Sequence, residues 1–300
     1  MSATTATIDD CRERALLLSC EGEALLGILS LPAAERPAPV LGVLIVVGGP
    51  QYRAGSHRQF TLLARRLAAA GFPALRFDYR GMGDSGGAAR DFMDVTPDID
   101  AGLQALQAEA GVPRCVVLGL CDAASAALMH WEQRRDPRVA ALALLNPWTR
   151  SAASLARTQV KHYYLDRLRQ REFWLKLLRG GVALQALRGL LGNMRQARQG
   201  SGAAAAVSGG SYQQRMARGW RDFPGPLLLL LSGRDYTAKE FLDNSDNDPA
   251  WQGLLRLDKV RRVDLAEADH TLSDPASEQR ATASLLDWLQ NLAAKKDGAS

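Results

Sequence analysis

Short runs of β-branched and leucine-rich residues recur along the chain, separated by longer stretches in which apolar residues return every three or four positions. The runs are Leu41–Val47, Pro73–Tyr79, Arg114–Leu118, Val139–Leu145, Pro226–Leu231 and Val260–Leu265. Leu41–Val47 is continuous and apolar, which is what a strand buried on both faces requires. Between the runs, the helical period predicts a helix over residues 57–70, with Ser56 as its N-cap and Gly71 closing it, and others over 94–109 and 124–131. A last amphipathic helix runs from Pro275 to about residue 294. Ahead of all of these, residues 14–31 read as two strands around the turn Glu21-Gly22-Glu23, a hairpin at a sheet edge. Strands alternating with helices imply βαβ units and an α/β fold, with a mostly parallel central sheet and helices on both of its faces.

One stretch breaks the alternation. Thr149 to Phe223 has no good strand; its first half is amphipathic, with Tyr163, Tyr164, Phe173 and Trp174, and residues 200–211 are low-complexity (GSGAAAAVSGGS). The chain therefore divides into a core of residues 1–148 and 224–300 and a helical insertion at 149–223. A length of 300 residues with 47% hydrophobic content suffices for one large core. Charge sharpens the division: the net +5 is concentrated in the insertion, where between Ser151 and Arg221 thirteen arginines and lysines face only Asp166 and Glu172. Such a run either favours an anionic substrate or is a solvated helical face, and no DNA- or RNA-binding motif accompanies it. The apolar runs are too short to span a bilayer, and residues 1–10 carry Asp9 and Asp10 where a secretory signal needs cations. The expectation is a soluble, cytoplasmic protein. The cysteines at 11, 20, 115 and 121 and the histidines at 57, 130, 162 and 270 show no metal-ligand spacing, so neither a metal nor another cofactor is expected. Oligomeric state is left open.

The candidate chemistry centres on residues 115–125, CVVLGLCDAAS: an apolar strand, a sharp turn at Gly119–Ala123 and an alanine-rich helix. This resembles the nucleophile elbow of the α/β-hydrolases, G-x-Nu-x-G, with Cys121 as nucleophile and Ala123 where the motif usually has glycine. Helix N-terminal N–H groups and a paired histidine bring a cysteine pKa from about 8.5 into roughly the 3.5–7.5 range, so the position suits a thiolate. The competing reading is a buried structural cysteine. The Asp122 carboxylate would oppose the thiolate if aimed at it, so it is expected to turn away or to bond first-turn N–H groups. A nucleophile needs a base, and the base an orienting acid. In chain order these are Asp235, in SGRDYT, and His270, in EADHTLSD, each just past the C-terminal end of a strand. Rivals to Asp235 are Asp243 and Asp246; the other partners open to His270 are Asp269 and Asp274. His130 is expected to pack within its helix. Oxyanion donors are expected at the N–H of Asp122 and, since Pro50 has none, at Gln51, with Gly49 as the fallback. Gly49, Tyr52, His57, Trp148 and His162 are the candidate substrate contacts. The glycine-dense loop of residues 78–87 reads as scaffold.

Taken together, the elbow, acid, histidine and insertion resemble the α/β-hydrolase superfamily over about residues 14–294, with the insertion similar to a cap over the active site. The strings VVGGPQYRAGSHRQF, LRFDYRGMGDS, GLCDAAS, LLNPW and KHYYLDRLRQREFW more narrowly resemble the exosortase A system-associated hydrolases of the type-one group. That resemblance implies a cytoplasmic enzyme serving bacterial exopolysaccharide assembly. The residues themselves suggest cleavage of an ester or thioester, on a small acyl substrate, through an acyl-enzyme. Transfer of the acyl group to a sugar hydroxyl, and a catalytically silent binding protein of the same fold, are the alternatives.

Overall fold

The computed structural model describes residues 11–33, 39–49, 51–150 and 210–297. Most of the expected insertion, His162 included, and Pro50 lie outside the described residues. In order, the elements are β1 (Cys11–Cys20), β2 (Glu23–Pro32), β3 (Gly42–Val46), α1 (Gln59–Ala69), β4 (Ala74–Phe77), α2 (Thr96–Ala110), β5 (Cys115–Leu120), α3 (Asp122–Arg134), β6 (Val139–Leu145), α4 (Tyr212–Asp222), β7 (Leu227–Ser232), α5 (Tyr236–Asn247), β8 (Val260–Leu265) and α6 (Pro275–Asp297). One eight-stranded sheet has the order β1-β2-β4-β3-β5-β6-β7-β8. The hairpin β1–β2 and the β2–β4 pairing are antiparallel, and every later pairing is parallel. The expected α/β architecture is the one found.

The burial pattern explains why the apolar runs are continuous. Strands β3, β5, β6 and β7 are buried along their whole length, because helices cover both faces. On one face, Ile99, Leu103, Leu128, Trp131, Trp220 and Phe241 from α2, α3, α4 and α5 share a core with Phe77 and Leu144. On the other, Phe60 and Leu67 of α1 meet Leu285, Trp288 and Leu289 of α6 across Val116 and Ile45. Helix α4 falls inside the stretch read as an insertion, yet its Met216, Ala217 and Trp220 are fully buried. Its Arg215 and Arg218 both pair with Glu132 of α3. Those two cations of the basic stretch therefore fasten α4 to the core.

Helix α1 begins later than the sequence suggests. His57 and Arg58 have φ of 53° and 59°, and the helix starts at Gln59 with no side-chain cap. The carbonyl of Ala54 accepts from the Phe60 N–H at 3.1 Å, so main chain supplies what Ser56 was expected to supply. Ser56 instead accepts from the Gln51 amide at 3.1 Å.

The loop of residues 78–87 is scaffold. Asp78, fully buried, accepts from the Arg53 N–H at 2.6 Å, from the Asp84 N–H at 3.2 Å and from the Arg53 guanidinium. Arg80 is locked onto Asp98 by its main-chain N–H and its guanidinium. The first of these networks pins the segment after β3 to the end of β4.

At the β5–α3 crossing, a Cβ on Gly119 would lie 2.5 Å from the backbone of Ala123. Backbone cannot yield as a side-chain tip does, so Gly119→Ala is expected to destabilise the fold by about 3 kcal/mol, measured by urea denaturation. An unchanged midpoint would mean that this crossing is looser than its geometry.

Candidate active site

Cys121 occupies the single residue between β5 and α3, with φ 63° and ψ −125°. A non-glycine residue held there costs on the order of 1–3 kcal/mol, and the main chain around it shows what holds it. The Cys121 N–H donates to the Leu145 carbonyl at 2.9 Å, and its carbonyl accepts from the Trp148 N–H at 3.2 Å. Ser125, buried in α3, clasps the same tryptophan: its hydroxyl donates to the Trp148 carbonyl at 2.7 Å and accepts from the Trp148 N–H at 3.0 Å. Trp148, named from sequence as a substrate contact, is thus bonded to the elbow itself.

The environment of the thiol differs from the expectation. Burial, then the Asp122 carboxylate, pushes the Cys121 pKa up to about 12, while the Asp122 N–H and the Arg150 charge pull the other way. The helix terminus does not outweigh desolvation in this buried setting. With its pKa raised this far, the protonated thiol is the resting form of Cys121 at neutral pH.

Asp122 turns toward main chain. Its Oδ1 accepts from the Gly49 N–H at 2.8 Å, and the Ala123 N–H also stabilises the carboxylate, although burial still raises its pKa. Gly48 makes room for this: a Cβ there would fall 2.0 Å from Asp122 Oδ1. The consequence is a correction to the oxyanion reading, since the N–H of Gly49, the fallback donor, is already spent on a carboxylate. Gln51 keeps its main-chain N–H without a partner among the described residues, and its side-chain amide is held by Ser56 and Gln59. Tyr52, next in the chain, is half exposed.

His270 and Asp235 meet. Nδ1 of the imidazole lies 2.8 Å from Asp235 Oδ2, while Oδ1 accepts from the Thr237 N–H at 2.9 Å and so caps α5. A buried carboxylate fixed at both oxygens holds the proton on Nδ1 and leaves Nε2 to accept. The hydrogen bond to Asp235 raises the His270 pKa above its ordinary value, against the desolvation that would lower it. Asn146, at φ 47°, ties the strand ends beneath: its amide donates to the Ser232 hydroxyl at 3.0 Å, its oxygen accepts from the Ser232 N–H at 2.8 Å, and the His270 carbonyl lies 3.5 Å away. Asp235 acts electrostatically on the Cys121 thiol. The other carboxylates near His270 are engaged locally: Asp269 with Thr271 and Ser273, Asp274 with the Ser277 N–H.

The remaining histidines separate. His57 is exposed; the Asp269 pKa is lowered chiefly by the hydrogen bonds from Ser273, with His57 a minor contributor. His130 is buried in α3 against Asp100, at 2.8 Å. Asp100, His130 and Asp136 bring ligand-type atoms within 4.8 Å of one another, but Arg134 already pairs with Asp100 and Arg138 with Asp136. Sequence reading passed over Tyr79, Arg150, Tyr212 and Glu240. Arg150 leaves β6 two residues after Trp148, and a cation past a strand's C-terminal end was the available signal. The tyrosines carried none: burial raises both their pKa values, and Cys121 is among the groups acting on each.

The sequence model of a family described as "Alpha/beta hydrolase family" matches residues 43–284. No curated protein matches the chain. Among solved structures, the esterase Pf2001 of Pyrococcus furiosus superposes with a TM-score of 0.60 at 14% identity, over 97% of this chain and 96% of its own. Est1E of Butyrivibrio proteoclasticus, with ferulic acid bound, gives 0.61 at 14% identity over 93% and 100%. A dienelactone hydrolase of Anabaena variabilis gives 0.58 at 14% identity over 94% and 98%.

Proposed function

Because the chain belongs to the alpha/beta hydrolase family, we propose that it is a cysteine-dependent acyl hydrolase that opens an ester or thioester through an acyl-enzyme. The observation that carries the reading is the His270–Asp235 contact of 2.8 Å at the sheet edge where Cys121 sits on its strained turn. In the first half-reaction, Nε2 of His270 takes the thiol proton while sulfur attacks the carbonyl carbon. The developing oxyanion is received by the N–H groups of Asp122 and Gln51. Collapse expels the alcohol or thiol, which leaves with the proton from His270. Water then attacks the acyl-cysteine with His270 again as base, releasing the acid and restoring the thiol. Because the resting thiol is neutral, this order needs no standing thiolate. The esterases and the dienelactone hydrolase among the similar structures support acyl–oxygen chemistry as the class. On the narrower resemblance to exosortase A system-associated hydrolases, we further propose a substrate from exopolysaccharide assembly, a cytoplasmic enzyme, and residues 149–223 as its cap.

The test is a panel of acyl-CoA thioesters and activated esters, with product release and intact protein mass followed together. Turnover with a transient acyl adduct is expected. An adduct that persists until a sugar hydroxyl is added would make the protein an acyltransferase instead. Neither adduct nor turnover across the panel would overturn the reading in favour of a binding protein.

A further inference from the structure

Arg150 is a cation at this site that the acyl chemistry leaves unused. Its guanidinium lies over the Trp148 indole, with Cζ 4.3 Å from the ring centroid. Its Nε donates to both carboxylate oxygens of Glu240, at 3.1 and 2.9 Å, and Glu240 is itself buried. The main chain is fixed as well, since the Tyr212 hydroxyl donates to the Arg150 carbonyl at 2.6 Å and Phe92 packs edge-on against Tyr212 at 5.3 Å. Stacking, a carboxylate on Nε and an anchored backbone together fix the plane of the guanidinium. Its two terminal nitrogens have no partner among the described residues, although only 31% of the side chain is exposed.

A planar fork whose inner edge is held and whose outer edge is open has the geometry that takes a carboxylate or phosphate with two parallel hydrogen bonds. The fork belongs to the site: the tryptophan beneath it donates to the Cys121 carbonyl at 3.2 Å. The other charged groups nearby are already paired in part, Glu240 with Arg150 itself, Asp235 with His270 and Asp122 with the Gly49 N–H. An incoming anion would therefore meet these carboxylates with part of their charge compensated.

We infer that Arg150 is a specificity residue of this site, which binds a carboxylate or phosphate group of the ester or thioester substrate through the outer edge of its guanidinium. The inference rests on the acyl-hydrolase reading and narrows it to anionic substrates. The anion belongs either to the acyl part or to the leaving group, and the two are separable. An activated ester with a free carboxylate on its acyl chain is compared with its methyl-capped neutral analogue. A CoA thioester is compared with the phosphate-free pantetheine thioester of the same acyl group.

The full-length chain is assayed as wild type, as Glu240→Gln, and as Arg150→Gln combined with Glu240→Gln, because the single Arg150→Gln variant would leave Glu240 buried without its cation. In one of the two pairs the wild type is expected to prefer the anionic member by about 10-fold in kcat/KM. Glu240→Gln should retain that preference, and the double variant should lose it to within about 3-fold while keeping a cooperative thermal melt. The responding pair says which end of the substrate carries the anion. No preference in either pair, or a preference that survives in the double variant, would overturn the inference. If nothing in the panel turns over, the hydrolase reading fails on its own, and binding decides this one. Glutarate or inorganic phosphate bound by wild type and weakened about 10-fold in the double variant would uphold the anion site; equal binding, or none, would overturn it.

Discussion

Replacing Cys121 with alanine is expected to abolish the acyl adduct and to lower kcat/KM by at least about 10⁴-fold on any substrate the wild type turns over. The loss is large because the sulfur is the atom that bonds to carbon; without it, His270 and the oxyanion donors act only on water. A second variant separates chemistry from structure. The turn holds residue 121 at φ 63°, where a Cβ is strained, so Cys121→Gly should be as inactive as Cys121→Ala but more stable by about 1 kcal/mol. Measured together by intact mass, steady-state kinetics and urea denaturation, the two variants ask whether the strain is kept for the sake of the nucleophile. Retained turnover in Cys121→Ala would remove the nucleophile from the mechanism. Equal stability of the glycine and alanine variants would mean that the turn is not strained by its side chain.

Asp235→Asn is expected to lower kcat by about 10³–10⁴-fold, with the acid limb of the pH profile moving as well. In the wild type the Asp235 carboxylate raises the His270 pKa, so the acid limb of kcat/KM should lie above about 6.5, the free imidazole value. The asparagine variant loses the charge, and the limb should shift to lower pH while the amplitude collapses. Asparagine can still accept from the Thr237 N–H, a bond of 2.9 Å in the structure, so the α5 cap survives and the loss is not one of folding. The same linkage appears in stability. A histidine whose folded pKa is raised contributes fully below its unfolded value of about 6.5, and that contribution fades as pH rises through the folded value. The stability difference between wild type and Asp235→Asn should therefore shrink as pH rises through that window. An acid limb that does not respond to Asp235→Asn would detach His270 from the rate-determining proton transfer.

How far each part of the site was legible follows from how local its cause is. The elbow was legible because a strand run, Gly119 and an alanine-rich helix adjoin in sequence, and Gly119 is needed where a Cβ would meet Ala123 backbone at 2.5 Å. Asp235 and His270 could be named because each follows a strand, and parallel strands deliver their C-terminal ends to one edge. The preference for Asp235 over Asp243 and Asp246 rested on that proximity alone; the 2.8 Å contact with His270 comes from the adjacency of β7 and β8. Ser56 misled because the Ala54 carbonyl fills the role a side-chain cap would have played at the start of α1. Asp122 was legible only as a question, since its answer is an amide of the β3 loop 73 residues earlier in the chain.

The amino-acid sequence by itself determined the class of fold, the succession of its strands, the helices α1, α2, α3 and α6, and the kinds of side chain brought to the sheet edge. Period, apolar run and turn residue are properties of neighbours in the chain, and they suffice for those. The tertiary structure alone decided the state of the chemistry: a Cys121 thiol pushed up to about 12, a Gly49 N–H spent on Asp122, and an arginine laid on Trp148 and held by Glu240. Each depends on desolvation or on a hydrogen bond between segments far apart in sequence, and such terms exist only once the sheet has brought those segments together.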